Sequence, residues 1–381
     1  MEADETMDYD AVIIGAGPAG SHLAFLLACA GVNVAMVDRA VFPRDKLCGG
    51  LLTHKTLALL EKAHPGEVFP FLDIKKIHLT YKRHYVTSVK PLSPIKAVCR
   101  HGFDALLVKF AEAYGSHMYM GTSAIQIDFQ AKIVLLKDGR KIRYGRLIGA
   151  DGALSRVRRL AGIPAAQLGF CLEAYVPWEQ IMDSRKWGAN GIELILGDFT
   201  KGYGWVFPNR ENVVIGAGNL TTKLPEAEMV RMFPQFIKDF VKLEQVKFRG
   251  AYVPSGTSIM LGRPYDQDMC LIGDAAGLID PLTGEGIYYA LLSAEKAANA
   301  FLSSDKDFFS TYCRYMQDSM NRIQADVWVR NEFYHPFIIQ DVLGTIQGAP
   351  QYIEKLVDET IIRYEKPYRV AYEELREYER L

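Results

Sequence analysis

The segment GAGPAG, residues 15–20, places glycines at positions 15, 17 and 20. This G-x-G-x-x-G spacing suits a phosphate cradle. Gly15 permits a tight turn, Gly17 lets the backbone approach a pyrophosphate, and Gly20 lets a helix pack close on a strand. Asp38 follows 23 positions after Gly15, where a carboxylate can accept hydrogen bonds from ribose hydroxyls. In LIGDAAG, 271–277, Asp274 suits a ribityl hydroxyl of an extended FAD. PLTGEGI, 281–287, forms a second glycine-rich turn whose amides could face the electron-rich side of a flavin ring. These later segments point to FAD rather than NAD.

Two further stretches carry chemistry. Cys48 sits beside Gly49 and Gly50, which would let the backbone pass close to a flavin. An unperturbed thiol keeps its proton at neutral pH, so Cys48 is either a proton donor or a small residue filling a tight turn. In GYGWVFP, 202–208, Tyr203, Trp205 and Phe207 occupy alternate positions, so on a strand all three rings share one face. Such a face is either core or the wall of a flat, apolar pocket.

These residues need a frame. DAVIIG, 10–15, reads as a buried strand, followed by a helix from about Ser21 to Ala30 that Gly31 stops, and by a strand ending at Asp38. That β-turn-α-β unit opens a doubly wound, mostly parallel sheet. MCLIGD, 269–274, returns to a parallel-type strand and leads to the helix IYYALLSAEKAANAFL. In DGALSRVR, 151–158, Ser155 and Arg158 are placed to knit the corner between a strand and a helix.

Residues 74–98 read as two strands with Pro91 and Pro94 between or beyond them, and 103–114 as a helix. Residues 118–150 read as short strands with an Asp138-Gly139 hairpin turn, and 168–253 as an antiparallel sheet. From about 305 the chain reads as helical. Phe309, Tyr312, Met316, Met320, Ile323 and Val327 form one apolar face, and Pro336 and Pro350 interrupt later helices.

The expected fold is therefore α/β. A discontinuous Rossmann-like FAD-binding domain (1–73, 96–165 and 262–302) is joined by an antiparallel-sheet substrate domain (74–95 and 166–261) and a C-terminal helical region (303–381).

Composition sets limits. Hydrophobic residues make up 49% and charged residues 23%, with a formal net charge of −1. There is no global basic field for nucleic acid. Lys75-Lys76 and Lys82-Arg83 read as solvated surface or as a weak docking face for anionic lipid or an acidic protein. Cys29, Cys48, Cys99, Cys171, Cys270 and Cys313 show neither a CxxC pair nor zinc spacing, so no metal site is expected. The acidic start MEADETMDYD lacks an apolar signal core. Both features predict a reduced, cytoplasmic protein with free thiols. Apolar runs such as LAFLLACAGV fall short of the roughly 20 residues of a membrane span. A peripheral contact with the cytoplasmic membrane face stays open.

FPRDKLCGG, 42–50, has the form P-x-x-K-x-C-G-G. YGWVFPNRENVVIGAG has the form Y-x-W-x-F-P followed by G-x-G at Gly216 and Gly218. With the cofactor motifs, these segments resemble, over roughly residues 9–300, the flavoprotein superfamily of aromatic hydroxylases, flavin halogenases and geranylgeranyl reductases. The last two motifs resemble the reductases. The resemblance implies that Tyr203, Trp205 and Phe207 line a substrate chamber beside the isoalloxazine. It implies that Arg100, which alone reads as a surface arginine, contacts FAD from a helix start. Ala19 and a backbone group near Ala124 would line the dinucleotide. Arg39, Cys48, Gly49, Gly50, Pro281, Gly284, Gly286 and Ile287 complete the expected cofactor contacts.

The implied activity is FAD-dependent reduction of isolated C=C bonds in a polyprenyl lipid or isoprenoid-quinone tail, by hydride transfer from reduced flavin N5. The proton would come from Cys48, a tyrosine or water. No second G-x-G-x-x-G is present, so electrons would arrive from NAD(P)H or ferredoxin. A monooxygenase or halogenase acting on an aromatic substrate is the alternative. A halogenase is expected to carry W-x-W-x-I-P, where this chain has Tyr203 and Phe207. A non-enzymatic prenyl-lipid carrier is the third reading, against which the intact glycine, Asp38 and Asp274 set argues. Expected partners are the hydrophobic prenyl lipid and a redox-protein donor, with the chain a monomer or dimer.

Overall fold

VAMVD and DAVII are apolar on both faces, and such strands are stable only within a parallel sheet covered on both sides. The computed structural model, which describes residues 6–182, 190–220, 226–263, 266–304, 307–335, 339, 342–344 and 350–378, builds that sheet. In chain order the strands begin with β1 (Thr6–Ile14), β2 (Val34–Asp38), β3 (Leu51–Leu52), β4 (Leu72–Ile74), β5 (Lys76–Tyr81) and β6 (His84–Val89). They continue with β7 (Ile95–Ala97), β8 (His117–Met120), β9 (Ala124–Asp128), β10 (Ile133–Leu136) and β11 (Lys141–Gly149). The last are β12 (Leu168–Val176), β13 (Gly191–Leu196), β14 (Gly202–Pro208), β15 (Val213–Asn219), β16 (Arg249–Pro254) and β17 (Met269–Leu271). The helices are α1 (Pro18–Cys29), α2 (His54–Ala63), α3 (Arg100–Ala113), α4 (Arg156–Leu160) and α5 (Glu226–Lys238). They end with α6 (Ile287–Leu302), α7 (Phe308–Phe333), α8 (Pro350–Val357) and α9 (Tyr368–Tyr378).

The first sheet has the order β8-β2-β1-β11-β10-β9, and β17 also pairs with β11, at Leu147 to Gly149 beyond its contact with β10. Its β8, β2, β1, β11 and β17 run parallel, and β10 pairs antiparallel with both β11 and β9. The second sheet has the order β16-β12-β15-β14-β13-β5-β6 and is antiparallel except where β13 lies parallel to β5. A small third sheet, β3-β7-β4, was not anticipated. Its strands are two or three residues long, too short to show a period.

Several elements differ from the sequence reading. Helix α1 starts three residues before Ser21, because Pro18 suits the first helical turn and Gly17 takes the N-cap. The β5–β6 turn is made by Lys82 and Arg83, both with positive φ (44° and 69°), and Pro91 and Pro94 lie beyond the hairpin. Helix α5 interrupts the region read as antiparallel sheet, and α2 occupies a stretch to which that reading assigns no element. Pro350 begins α8 rather than breaking a helix, and Pro336 lies outside the described residues. In α7, Tyr312, Met316 and Ile323 are buried as expected, but the same face also buries Asp326 and Arg330.

The largest apolar cluster joins the first sheet to α1, α6 and α7. A second lies between the second sheet and α5. No described helix is long and apolar enough to cross a membrane. Among the described residues, no group of three or more His, Cys, Asp or Glu is arranged to hold a metal.

Two histidines are buried in this frame. His22 of α1 is 1% exposed, and His64 is 2% exposed and stacks on Phe110 at 4.7 Å. Burial, then His64 and Lys62, pushes the His22 imidazole down to about 3, and burial pushes His64 down to about 4. Below pH 6.5 the unfolded chain takes up protons that the folded one refuses. Stability from each neutral imidazole is thus present above pH 6.5 and lost as pH falls toward 4 and 3. A His22→Leu variant is expected to lose about 2 kcal/mol less stability than the parent between pH 7 and pH 5, read from urea midpoints. Equal pH slopes would refute this.

Candidate active site

The glycine turn is held by backbone contacts that only glycine permits. Gly15 has φ of 108°, and a Cβ there would meet Ala150 O at 2.3 Å. A Cβ on Gly20 would stand 1.8 Å from Gly15 O, so the helix start lies against the end of β1. Asp38 fixes the turn from β2: its two oxygens accept from Ala16 N at 2.7 Å and Ala40 N at 2.8 Å. A carboxylate has about four acceptor sites, so Asp38 retains capacity for a ligand. No side chain caps α1, which leaves first-turn amides facing the space beyond Gly17 and Ala19.

Opposite lie two arginines, Arg100 buried and Arg44 half-buried. Arg100, at the start of α3, is 8% exposed and donates to both oxygens of Asp104 at 2.6 and 2.8 Å. It is not a surface arginine. Arg44 bridges to the same carboxylate at 3.2 Å. Its Nη1 is buried with no hydrogen-bond partner, and its Nη2 would lie 3.8 Å from a Cβ on Gly17. A buried, unsatisfied guanidinium nitrogen beside a glycine turn suits a phosphate oxygen.

The CGG segment joins this cradle to the aromatic strand. Gly50 has φ of 71° and lies against Val98 O, and a Cβ on Gly49 would meet Phe207 at 2.6 Å. Gly50 N donates to Cys48 Sγ at 3.4 Å. On β14 the three rings share one face: Trp205 stacks with Phe207 at 6.1 Å and meets Tyr203 at 5.5 Å. The G-x-G of β15 explains how. Gly216 and Gly218 pair with Trp205 and Tyr203, and a Cβ on Gly216 would stand 2.2 Å from the Trp205 ring. The indole therefore lies flat across the neighbouring strand, and its Nε1 is buried without a partner. Tyr203 donates its hydroxyl to Thr283 O, which ties the aromatic strand to the TGEG turn.

That turn is braced from within. Asp280, fully buried, accepts from Leu282 N and Thr283 N and from Tyr368 OH at 2.8 Å. Glu285 accepts from Thr53 and Thr56 at 2.8 and 2.7 Å and pairs with Lys55 at 2.9 Å. The ammonium of Lys55 in turn sits 4.0 Å from the Tyr364 ring centre. Asp274 lies against the turn, with Oδ1 3.2 Å from a Cβ placed on Gly286. Burial holds its carboxyl above the usual range, with Lys46 and Arg100 opposing. Helix α6 also begins without a side-chain cap, so its first amides open toward the same space.

Many of these groups border one cavity of about 1060 Å³, above the roughly 300–1,000 Å³ usual for small-molecule sites. Gly15, Gly17, Ala19, Asp38, Arg39, Arg100 and Ala124 line one end. Cys48, Gly49, Gly50, Asp274, Gly284, Gly286 and Ile287 border it too, as do Tyr203, Trp205 and Phe207. Gly20 and Pro281 do not border it: Gly20 packs α1 on β1, and Pro281 touches the region of Gly256. Beyond the rings the wall is hydrocarbon. Ile77, Val89 and Ile192 of the second sheet pack with Ile353 and Ile362 of the C-terminal helices. The two uncapped helix starts, the free Arg44 nitrogen and the glycine approaches fit a dinucleotide such as FAD.

Sequence reasoning passed over several wall residues. Cys171, Glu173 and Tyr175 alternate on β12, and Cys171 and Glu173 border the cavity. The period-2 pattern was visible, but an acid between apolar residues does not reveal what it faces. Burial, opposed by Tyr175, Lys46 and Arg100, pushes the Glu173 carboxyl up to about 7. Arg44 lay within the quoted CGG segment, yet nothing local marked its burial.

Residues 9–225 match the pyridine nucleotide-disulphide oxidoreductase family. The chain is 31% identical over 341 residues to a menaquinone reductase of Mycolicibacterium smegmatis, covering 82% of this chain and 81% of that protein. It is 30% identical to a geranylgeranyl diphosphate reductase of Rhodobacter capsulatus, covering 86% and 85%. A geranylgeranyl bacteriochlorophyll reductase-like protein from Thermoplasma acidophilum superposes with a TM-score of 0.81 at 20% identity, covering 98% and 100%. A probable FAD-dependent monooxygenase from Pseudomonas aeruginosa shares the fold at a TM-score of 0.66 and 19% identity, covering 87% and 97%.

Proposed function

Because the chain belongs to the geranylgeranyl reductase family of FAD-dependent oxidoreductases, we propose that it reduces isolated C=C bonds in a polyprenyl lipid or isoprenoid-quinone tail. The observation that carries this reading is the continuity of the cavity, which runs from the glycine turn past Cys48 and the rings into a hydrocarbon chamber. A prenyl chain offers no hydrogen bonds, so it must be held by apolar area, at about 25 cal/mol per Å² removed from water. Trp205 and Phe207 supply that area at little entropic cost, since strand pairing and the stacked contact already fix their rings.

When bound, FAD in its reduced form supplies the hydride. Asp38, Arg39, Arg44, Arg100 and Asp274, with the amides of the two glycine turns, would hold it. The rings orient the alkene, and the hydrocarbon walls exclude water. The chain's remaining task is to provide a proton, since an unactivated alkene takes hydride only as positive charge develops on its more substituted carbon. Tyr203 is a poor source, because its hydroxyl is engaged by Thr283 O. NAD(P)H or a ferredoxin-type donor replaces the electrons. A peripheral membrane contact would bring the chamber to its lipid.

The test is anaerobic incubation of the dithionite-reduced protein with geranylgeranyl lipids and menaquinones, followed by mass spectrometry. A gain of two hydrogens per reduced bond is expected. Unchanged lipids, with hydroxylated phenols formed instead under NAD(P)H and oxygen, would replace this reading with a monooxygenase.

A further inference from the structure

We propose that Glu173 is the proton reservoir of the site, from which the proton added to the alkene is drawn at the Tyr175–Cys48 corner of the cavity wall. The inference rests on the prenyl-reductase reading and extends it to a residue that none of the cofactor motifs contains.

Three observations carry it. Glu173 is 4% exposed and borders the cavity, yet among the described residues it makes no ion pair within 4 Å. Burying an acid without a cation is costly unless it takes a proton. Its hydrogen-bond partner is Tyr175, whose hydroxyl lies 3.2 Å from Glu173 Oε2 and 3.2 Å from Lys46 O. That hydroxyl also accepts from Cys48 N at 3.2 Å. One phenolic proton cannot serve both acceptors at once. With Glu173 ionised, Tyr175 donates to the carboxylate. With Glu173 protonated, the phenol turns to Lys46 O and can accept from the acid. The corner therefore has two hydrogen-bonded arrangements that differ by one proton.

The groups facing Glu173 do not force ionisation. On β12 itself they are Cys171 and Tyr175, and burial raises both above their ordinary values. From the CGG segment come Lys46 and Cys48, and from α3 comes Arg100, which also contacts Cys48. On β16, Arg249 lies opposite Glu173 but is exposed and pairs with Asp45. Across the cavity, Asp274 competes for the same two cations, Lys46 and Arg100. Burial outweighs them, leaving the carboxyl near neutrality, where a proton is both held and available.

The balance is simple. The alkene π bond breaks and two C–H bonds form. One carbon takes a hydride, with its electron pair, from the bound reduced flavin, which is thereby oxidised. The other takes a proton from Glu173, which is left as carboxylate and is refilled from solvent at the cavity rim. A nicotinamide or ferredoxin-type donor returns the two electrons.

The experiment compares the flavin-loaded parent with Glu173→Gln and Tyr175→Phe. In the substrate-free proteins, infrared difference spectra between about pH 5.5 and 8.5 should show a protonated-carboxyl band titrating near neutrality. It should shift in heavy water, vanish in Glu173→Gln and titrate at a displaced pH in Tyr175→Phe. In single-turnover reduction of a geranylgeranyl lipid, the parent rate should fall about tenfold per pH unit above neutrality. Glu173→Gln should be about 100-fold slower and lack that limb, with flavin content unchanged. A near-neutral band that persists in Glu173→Gln beyond that of Asp326, which burial pushes up to about 6, or an unaltered pH profile in either variant, overturns the proposal. A parent that shows the band but reduces no prenyl lipid overturns the functional reading and leaves the titrating carboxyl assigned to Glu173.

Discussion

Gly20→Ala is expected to give a colourless protein. The added methyl carbon would stand 1.8 Å from Gly15 O and 3.0 Å from Gly15 C, both backbone atoms. No rotamer change can relieve that overlap. Either α1 moves away from β1 or the turn deforms, and both displace the uncapped amides of the helix start. Overpacking of this kind costs about 1–3 kcal/mol or more, and each 1.4 kcal/mol is a factor of ten in affinity. Flavin retained through dialysis should fall at least tenfold, read from the ratio of visible to ultraviolet absorbance. Circular dichroism should show the sheet intact. A yellow variant with parental affinity would remove the glycine turn from the site.

The second large effect is expected at Lys55→Met. Lys55 and Glu285 are both nearly buried, with side-chain exposures of 5% and 9%, and their charges meet at 2.9 Å. Without the ammonium, Glu285 keeps only the hydroxyls of Thr53 and Thr56. Removing one member of a buried pair costs about 3–5 kcal/mol, because the other charge stays desolvated. The loss should appear in urea titration and be accompanied by weaker flavin retention, since Glu285 lies between Gly284 and Gly286. The double variant Lys55→Met/Glu285→Leu should recover much of the stability, because an apolar pair leaves no orphaned charge. If the double variant is as unstable as the single one, the loss comes from packing against Tyr364 and Tyr288 rather than from charge.

What could be seen in the sequence was what the backbone itself demands. Gly15 and Gly20 announce a close approach, and Tyr203, Trp205 and Phe207 announce a shared face. The paired Gly216 and Gly218 needed only the hairpin register to find their purpose under Trp205. Buried polar contacts made across long stretches of chain gave no such sign. Thr56 meets Glu285 from 229 positions away, and Cys48 meets Tyr175 from 127. A lone lysine on a ten-residue helix, or a lone glutamate on a strand, reads as surface until its partner is placed. The same holds for Asp326 and Arg330 within the apolar face of α7. Tyr364 hydrogen-bonds Asp326, and Ser255 accepts from Arg330.

The pairing of β17 with β11, and of β13 with β5, bears on how the chain is made. Lys76 must wait for Gly191, and Leu147 for Met269, before either ladder can close. Such non-local, parallel registers carry a high contact order and form slowly. A chain emerging from the ribosome therefore displays its phosphate turn long before Asp274 exists. The pigment can bind fully only to a nearly finished polypeptide, so a supply of free flavin during late synthesis should raise the yield of native protein.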